Sequence, residues 1–315
     1  VGTAQRLAER ARGIAPAGDG VELAWNPEFL REGLALQDTL HPDRIVVGVE
    51  DRPDSRSEGI LRALYAPLLD CGTPFLVTTL ETAELVKVAA NAFLATKISF
   101  INAIAEVCEV TSANIATLAD AIGYDNRIGR RFLDAGLGFG GGCLSKDIRG
   151  FVTRATELGV GDSLNFLREI DDLNCRRRAR IVDITRDACG SLAGARVGIL
   201  GAAFKPNTDD IRDSPALDVA NRIQSEGAEV SVFDPKAMDN ARKAFPTLNY
   251  AFSAADACTG VDAVLVLTEW DEFRNLRPED LAGVTRSNHV IDARNCLEPG
   301  AWRAAGWTYR GFGRQ

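Results

Sequence analysis

From Leu80 to Val110 the chain holds no glycine and no proline and is rich in alanine and leucine, which predicts one long helix. The segments on either side of it set the class of fold. Before it, Val21–Trp25, Arg44–Val49 and Pro74–Thr79 read as strands, and Ile60, Leu61, Leu64 and Leu68 place a helix over Ser57–Leu69. After it, helical spacing continues over residues 114–122 and 163–188, separated by a glycine-dense loop, Gly136-Leu-Gly-Phe-Gly-Gly-Gly-Cys143. From Ala195 strands return, at 195–201, 229–233, 262–267 and 289–292. A helix over 215–226 is opened by Pro215 and stopped by Gly227. Strands alternating with helices imply parallel sheets. The expected fold is therefore α/β: Rossmann-like doubly wound domains joined by a central all-α helical domain. The expected boundaries are 1–79, 80–190 and 191–315, with the first domain incomplete.

Composition narrows the function classes. A length of 315 residues suits two or three domains. With 36 basic and 44 acidic residues the net charge is −8, so no nucleic-acid partner is expected. The run Arg176-Arg177-Arg178 reads as a solvated helix face. No membrane span is expected, because Lys87, Asn91, Lys97 and Asn102 interrupt the most apolar stretch, Leu85–Cys108. The seven cysteines are odd in number and include no C-x-x-C pair. This argues against a zinc site and, with no signal peptide, for a reducing cytoplasm. His41 and His289 are the only histidines, so no histidine-rich metal site is expected. The chain starts Val1-Gly2-Thr3 and its sole methionine is Met238, as a fragment or a processed chain would.

Four groups of residues carry possible chemistry. Cys143 ends the glycine loop and precedes Lys146 and Asp147; a thiol beside a cation ionises more readily and suits nucleophilic catalysis, and the alternative is a buried inert cysteine. Lys87 and Asn91, four residues apart, share a helix face and could stabilise an oxyanion, or form a solvated polar stripe. Glu28 and Glu32 follow the strand at 21–25, where a carboxylate can serve as base, or act as first-turn acids of a short helix. The segment Phe204-Lys-Pro-Asn-Thr-Asp-Asp-Ile-Arg-Asp-Ser-Pro215 follows the strand ending at Gly201. It lacks G-x-G-x-x-G; its acids read as a capped loop, and Arg294 is placed to reach the same crevice.

Six segments occur in an order that resembles the nucleotide-sugar 6-dehydrogenases, the UDP-glucose/GDP-mannose dehydrogenase family, and within it the UDP-glucose 6-dehydrogenases. They are Asn26-Pro-Glu-Phe-Leu-Arg-Glu-Gly33, Glu84-Leu-Val-Lys-Val-Ala-Ala-Asn91, Arg127-Ile-Gly129, Gly138-Phe-Gly-Gly-Gly-Cys-Leu-Ser-Lys-Asp147, Phe204-Lys205 with Thr208–Pro215, and Asp292-Ala-Arg-Asn295. The resemblance implies oxidation of UDP-glucose to UDP-glucuronate by two NAD⁺, through a thiohemiacetal and a thioester on Cys143. It makes Glu28 the base for hydrolysis and Lys87 the oxyanion partner, with Asn91 and Asp147 positioning water and polar groups. It places Glu32, Phe132, Phe139, Gly140, Phe204, Lys205 and Arg294 around the substrate. Arg127 would reach the substrate of a neighbouring subunit in a homodimer or higher homo-oligomer, and Glu28, Lys146 and Arg212 would lie at the cofactor.

The chain departs from the family in lacking its N-terminal G-x-G-x-x-G and ribose-binding acid. Little dehydrogenase activity is therefore expected of the chain as written. The alternatives are a GDP-mannose or other nucleotide-sugar dehydrogenase, including the UDP-N-acetylmannosamine type, and a non-catalytic nucleotide-sugar binding module. A cysteine hydrolase would need a base beside the thiol, and neither histidine lies in a motif for that role.

Overall fold

The computed structural model describes residues 1–51 and 55–314. It divides into two compact units, Val1–Ala92 and Phe93–Gln315.

The first unit opens with helix α1 (Thr3–Ile14) and continues through α2 (Ala35–Leu40), strand β1 (Ile45–Val49), α3 (Ser57–Leu64), α4 (Ala66–Asp70) and β2 (Phe75–Thr79). β1 and β2 pair in parallel, from Ile45 opposite Phe75 to Val49 opposite Thr79. The long helix α5 (Leu80–Thr111) starts in this unit. Gly48 of β1 is required by that start: a Cβ there would lie 2.7 Å from Ala83 Cβ and 2.8 Å from the Thr79 carbonyl oxygen. The buried Glu84 carboxylate accepts the N–H groups of Gly2, Thr3 and Ala4 at 2.6, 2.9 and 3.0 Å. It thereby satisfies donors that a helix N-terminus leaves open.

Two expectations are corrected here. Val21–Trp25 is not a strand; Trp25 makes a single antiparallel bridge to Gly48. The polar groups around it serve other segments: the Val21 carbonyl accepts from Arg12 Nε, and the Leu23 N–H donates to Glu50. The helix expected over 57–69 is two helices, broken at Tyr65, because Pro67 has no N–H to continue the ladder.

Glu22 fastens the start of α3. Its carboxylate accepts from the Ser57 hydroxyl (2.8 Å), the Arg56 N–H (2.9 Å) and the Ser57 N–H (3.1 Å), and its pKa falls to about 2, chiefly through Ser57. A depressed folded-state pKa stabilises the fold above the unfolded carboxylate range, and that contribution is lost as pH falls through the folded value. Glu22→Gln should therefore lower the melting temperature at pH 7. The gap to the unsubstituted chain should close between about pH 5 and pH 2. A gap constant across a pH-dependent melting series would refute this.

The second unit contains the rest of α5, then α6 (Ile115–Gly123), α7 (Leu144–Glu157) and α8 (Asn165–Cys189), followed by a six-stranded parallel sheet. Its strands are β3 (Arg196–Leu200), β4 (Glu229–Phe233), β5 (Asn249–Tyr250), β6 (Ala263–Val266), β7 (His289–Asp292) and β8 (Thr308–Gly311). Their order β5-β4-β3-β6-β7-β8 is the doubly wound dinucleotide-fold order. Helix α9 (Pro215–Ser225) follows β3, with the Ser214 hydroxyl accepting the Leu217 N–H at its start. The apolar core runs from Ile101 on α5 through β3, β6 and β7 to Phe312.

Helix α7 was not expected, although Ile148, Val152 and Ala155 recur at helical spacing and are buried. The arginine run is also corrected: Arg177 and Arg178 are buried, and only Arg176 faces solvent. By length and composition α5 alone among the described helices could cross a membrane. Its buried polar side chains are nonetheless bonded to protein: Ser99 to the Ile170 carbonyl, and Asn102 to the Gly136 N–H.

Candidate active site

In the first unit the expected base and cation meet. Lys87 Nζ donates to Glu28 Oε2 at 2.7 Å, while Glu28 Oε1 accepts the Leu30 N–H at 2.7 Å. The loop 26–34 that carries Glu28 is neither the end of a strand nor the first turn of a helix, contrary to both readings of the sequence. It is held by side chains instead. Asn26 Nδ2 donates to the Val46 carbonyl at 2.8 Å, Arg31 makes a forked pair with the buried Asp38, and the Arg44 guanidinium stacks over Phe29 at 4.1 Å. Glu32 is half-buried in the same loop. Asn91, one turn beyond Lys87 on α5, is half-buried as well.

In the second unit Cys143 is the residue from which α7 springs, and it is exposed. Burial raises the thiol pKa of Cys189, of Cys258 (to about 12) and of Cys296. The N-terminus of α7 carries positive partial charge, which favours negative charge developing beside it. Asp147 lies in its first turn, with its N–H bonded to the Cys143 carbonyl at 2.8 Å and its carboxylate 3.6 Å from Lys146 Nζ. Ser145 Oγ donates to Asp213 at 3.0 Å.

The glycine loop is clamped from several sides, and this is what the sequence reading missed. Asn174 on α8 takes both backbone groups of Phe139: its Oδ1 accepts the N–H at 2.9 Å and its Nδ2 donates to the carbonyl at 2.9 Å. The fully buried Arg177 donates to the Gly136 carbonyl and pairs with Glu106 at 3.0 Å, its guanidinium 3.8 Å from the Phe312 ring centroid. Arg178 pairs with Asp213 at 2.9 Å. Asn102 on α5 accepts the Gly136 N–H at 2.8 Å. Gly138 sits at φ +100°, and a Cβ on it would be 2.2 Å from Asn174 Oδ1. At Gly140 a Cβ would be 2.3 Å from the Asp213 carbonyl oxygen. These glycines are needed where the loop meets its own protein.

The expected nucleotide residues converge on the same loop. Arg294 Nε donates to the Leu267 carbonyl (2.7 Å), Nη1 to Gly138 (2.9 Å) and Nη2 to Phe204 (3.3 Å), so one guanidinium joins the end of β6, the glycine loop and the segment after β3. The same guanidinium pairs with Glu269, Nε to Oε2 at 3.2 Å. Lys205 Nζ lies 5.4 Å from the Phe204 ring centroid. Arg212 forks onto Asp210, and Gly141 donates to the Arg212 carbonyl. Phe132 holds a left-handed backbone, φ 66°, which costs of order 1–3 kcal/mol and is typical of functional loops. Arg127 is apart from this cluster: it is exposed and paired with Asp125, whose carboxyl it holds below its ordinary pKa. Lys97 fixes that loop through the Ile128 and Gly129 carbonyls.

A nicotinamide dinucleotide needs a pyrophosphate cradle. In the first unit the open donors of α1 are filled by Glu84, and no glycine-rich strand-to-helix loop is present among its described residues. These residues do not make such a cradle. Among all described residues no cluster of histidine, cysteine or acidic side chains could hold a metal ion.

Sequence models of three domains of one family match in chain order: the NAD binding domain over residues 1–69, the central domain over 81–176 and the UDP binding domain over 198–299 of the UDP-glucose/GDP-mannose dehydrogenase family. The chain is 41% identical over 301 residues to a UDP-glucose 6-dehydrogenase of Rickettsia prowazekii, covering 95% of this chain and 68% of that protein. It is 41% identical over 314 residues to that of Rhizobium meliloti, covering 100% and 71%. Its structure is similar to that of a UDP-glucose dehydrogenase from Pyrobaculum islandicum, with a TM-score of 0.85 at 35% identity over 97% of this chain and 67% of that one. The three domains, the doubly wound order of the second sheet and these likenesses agree: the chain belongs to the UDP-glucose/GDP-mannose dehydrogenase family of NAD-dependent oxidoreductases.

Proposed function

We propose that this chain carries the substrate and nucleophile machinery for oxidation of UDP-glucose to UDP-glucuronate, with Cys143 as the nucleophile. The observation that carries the reading is an exposed thiol at the first turn of α7, next to a glycine loop that Arg294 ties to Phe204. Each oxidation needs a hydride acceptor, which NAD⁺ would supply in a chain that also offers a pyrophosphate cradle. The chain's own groups do the rest. The Cys143 sulfur adds to the sugar C6 aldehyde, and its proton passes to the carbonyl oxygen to give a thiohemiacetal. At the thioester stage water attacks the acyl carbon with Glu28 taking its proton, and the C–S bond breaks to return the thiol and release the carboxylate. Lys87 opposes the negative charge on oxygen in both additions, and Asn91 and Asp147 orient water and polar groups. Phe132, Phe139, Gly140, Phe204, Lys205, Arg294 and Glu32 hold the nucleotide sugar. Lys146, Arg212 and Glu28 would contact the cofactor on this reading.

The protein works as a homodimer in the cytoplasm on this reading. Phe93, Phe100 and Val107 are exposed at seven-residue spacing on α5, the seam two antiparallel or parallel helices bury together. The exposure of Arg127 fits a role at the neighbouring subunit's substrate. Exposed Cys71, Cys143 and Cys175 suit a reducing compartment.

The test is the yield of NADH per UDP-glucose, with NAD⁺ in excess, in a chain joined to the G-x-G-x-x-G segment that its family carries. Two per sugar is the expected result. UDP-glucose binding with no NADH formed points to a nucleotide-sugar binding module, and turnover with GDP-mannose but not UDP-glucose points to another member of the family.

A further inference from the structure

Doubly wound domains take a dinucleotide where the loop after the first strand offers N–H groups to the pyrophosphate and an acid ending the second strand holds the ribose. In the second unit both parts exist, but they are bonded to each other. Asp234, directly after β4, is buried, and its Oδ2 accepts the Ala202 N–H (2.8 Å) and the Ala203 N–H (2.9 Å) of the loop after β3, together with Trp270 Nε1 (3.0 Å). Its Oδ1 accepts the N–H groups of Lys236 (2.9 Å) and Ala237 (2.8 Å). Five donors exhaust a carboxylate with about four acceptor sites, leaving nothing for a ribose hydroxyl. The same two peptides are held at their carbonyls: Ser214 Oγ donates to Ala202 O at 2.6 Å, and Thr268 Oγ1 to Ala203 O at 2.7 Å. Every polar backbone group of Ala202 and Ala203 is thus fixed by a buried side chain. The next residues in the chain are Phe204 and Lys205.

We propose that Asp234 is a positioning residue for the nucleotide: by fixing Ala202 and Ala203 it sets the pose of Phe204 and Lys205, and so the affinity for a uridine diphosphate group. This rests on the reading of Phe204, Lys205 and Arg294 as nucleotide contacts. An acid that only supported the fold would change stability without changing the affinity of folded molecules.

The experiment titrates UDP into the full chain by calorimetry, below the melting temperature of every variant compared. In Asp234→Asn an amide NH₂ must face backbone or indole N–H donors, so the loop shifts and the Kd for UDP should rise at least tenfold in a chain whose circular dichroism is unchanged. Thr268→Val removes one carbonyl bond of the same loop and should weaken UDP about threefold to tenfold; it carries the test if Asp234→Asn does not fold. Lys205→Ala and Arg294→Ala probe the underlying reading. If they weaken UDP while Asp234→Asn, or Thr268→Val in its place, stays within twofold of the unsubstituted chain, the positioning role is overturned. If neither Lys205→Ala nor Arg294→Ala affects UDP, or the unsubstituted chain does not bind it, the nucleotide reading fails and the proposal with it.

Discussion

In a chain joined to the family's G-x-G-x-x-G segment, Cys143→Ser should reduce NADH formation from UDP-glucose on the order of 10⁶-fold, the scale seen when a covalent nucleophile is removed. Two steps suffer together. A serine hydroxyl adds to an aldehyde far less readily than a thiolate, and any oxygen ester that formed would hydrolyse more slowly than a thioester because an alkoxide is the poorer leaving group. The ester of the serine variant should therefore accumulate, visible as a mass increase on the peptide containing residue 143. UDP affinity should stay near that of the parent chain, since the serine replaces the thiol at the same exposed position. Cys71→Ser and Cys175→Ser, which alter the other exposed thiols, should leave turnover within about twofold. Turnover by Cys143→Ser within tenfold of the parent would remove Cys143 from the chemistry.

Much of the fold was legible in the sequence because its strands are short apolar runs between turn residues. Ile45–Val49, Phe75–Thr79, Arg196–Leu200 and Ala263–Val266 each stand within two residues of where their composition put them. β5 was not legible: two residues carry no period. The strand expected over 21–25 failed for a different reason. Its apolar residues suit a strand, but Arg12 and Glu50 take the backbone groups a ladder would need. Propensity is overruled where side chains from distant segments capture the backbone.

The candidate site shows the same division. Motif residues such as Cys143, Lys87 and Glu28 were visible because their chemistry is unusual in context. The residues that hold them were not. Asn174, Arg177 and Arg178 look like any polar helix face, and only the fold shows that this face turns inward onto a loop whose glycines leave no side chains of their own to anchor it. Buried arginine and asparagine are rare without partners. A polar triplet beside Ile181 and Val182 on one helix carried that hint, but the loop it serves lies some forty residues upstream.

Asn174→Ala should destabilise the second unit by about 3 kcal/mol, from a buried Phe139 N–H left unpaired and the cavity vacated by the amide. Arg178 Nη2, 3.4 Å from the Phe139 carbonyl, partly replaces the lost donor, so the N–H bears most of the cost. The same substitution changes what Gly138 tolerates. In the parent chain Gly138→Ala meets Asn174 Oδ1 at 2.2 Å and a backbone at φ +100°, two penalties together. In the Asn174→Ala background the oxygen is gone and only the backbone strain, of order 1–3 kcal/mol, persists. The two substitutions should therefore be less than additive, with a coupling of at least about 1 kcal/mol in a double-mutant cycle followed by urea unfolding. Because Phe139 and Gly140 follow directly, Asn174→Ala should also weaken UDP-glucose, whereas a clamp that mattered only for stability would leave binding by the folded chain unchanged. Additive unfolding energies would mean that the loop moves away from α8 without cost, and the amide would then have no part in shaping the loop.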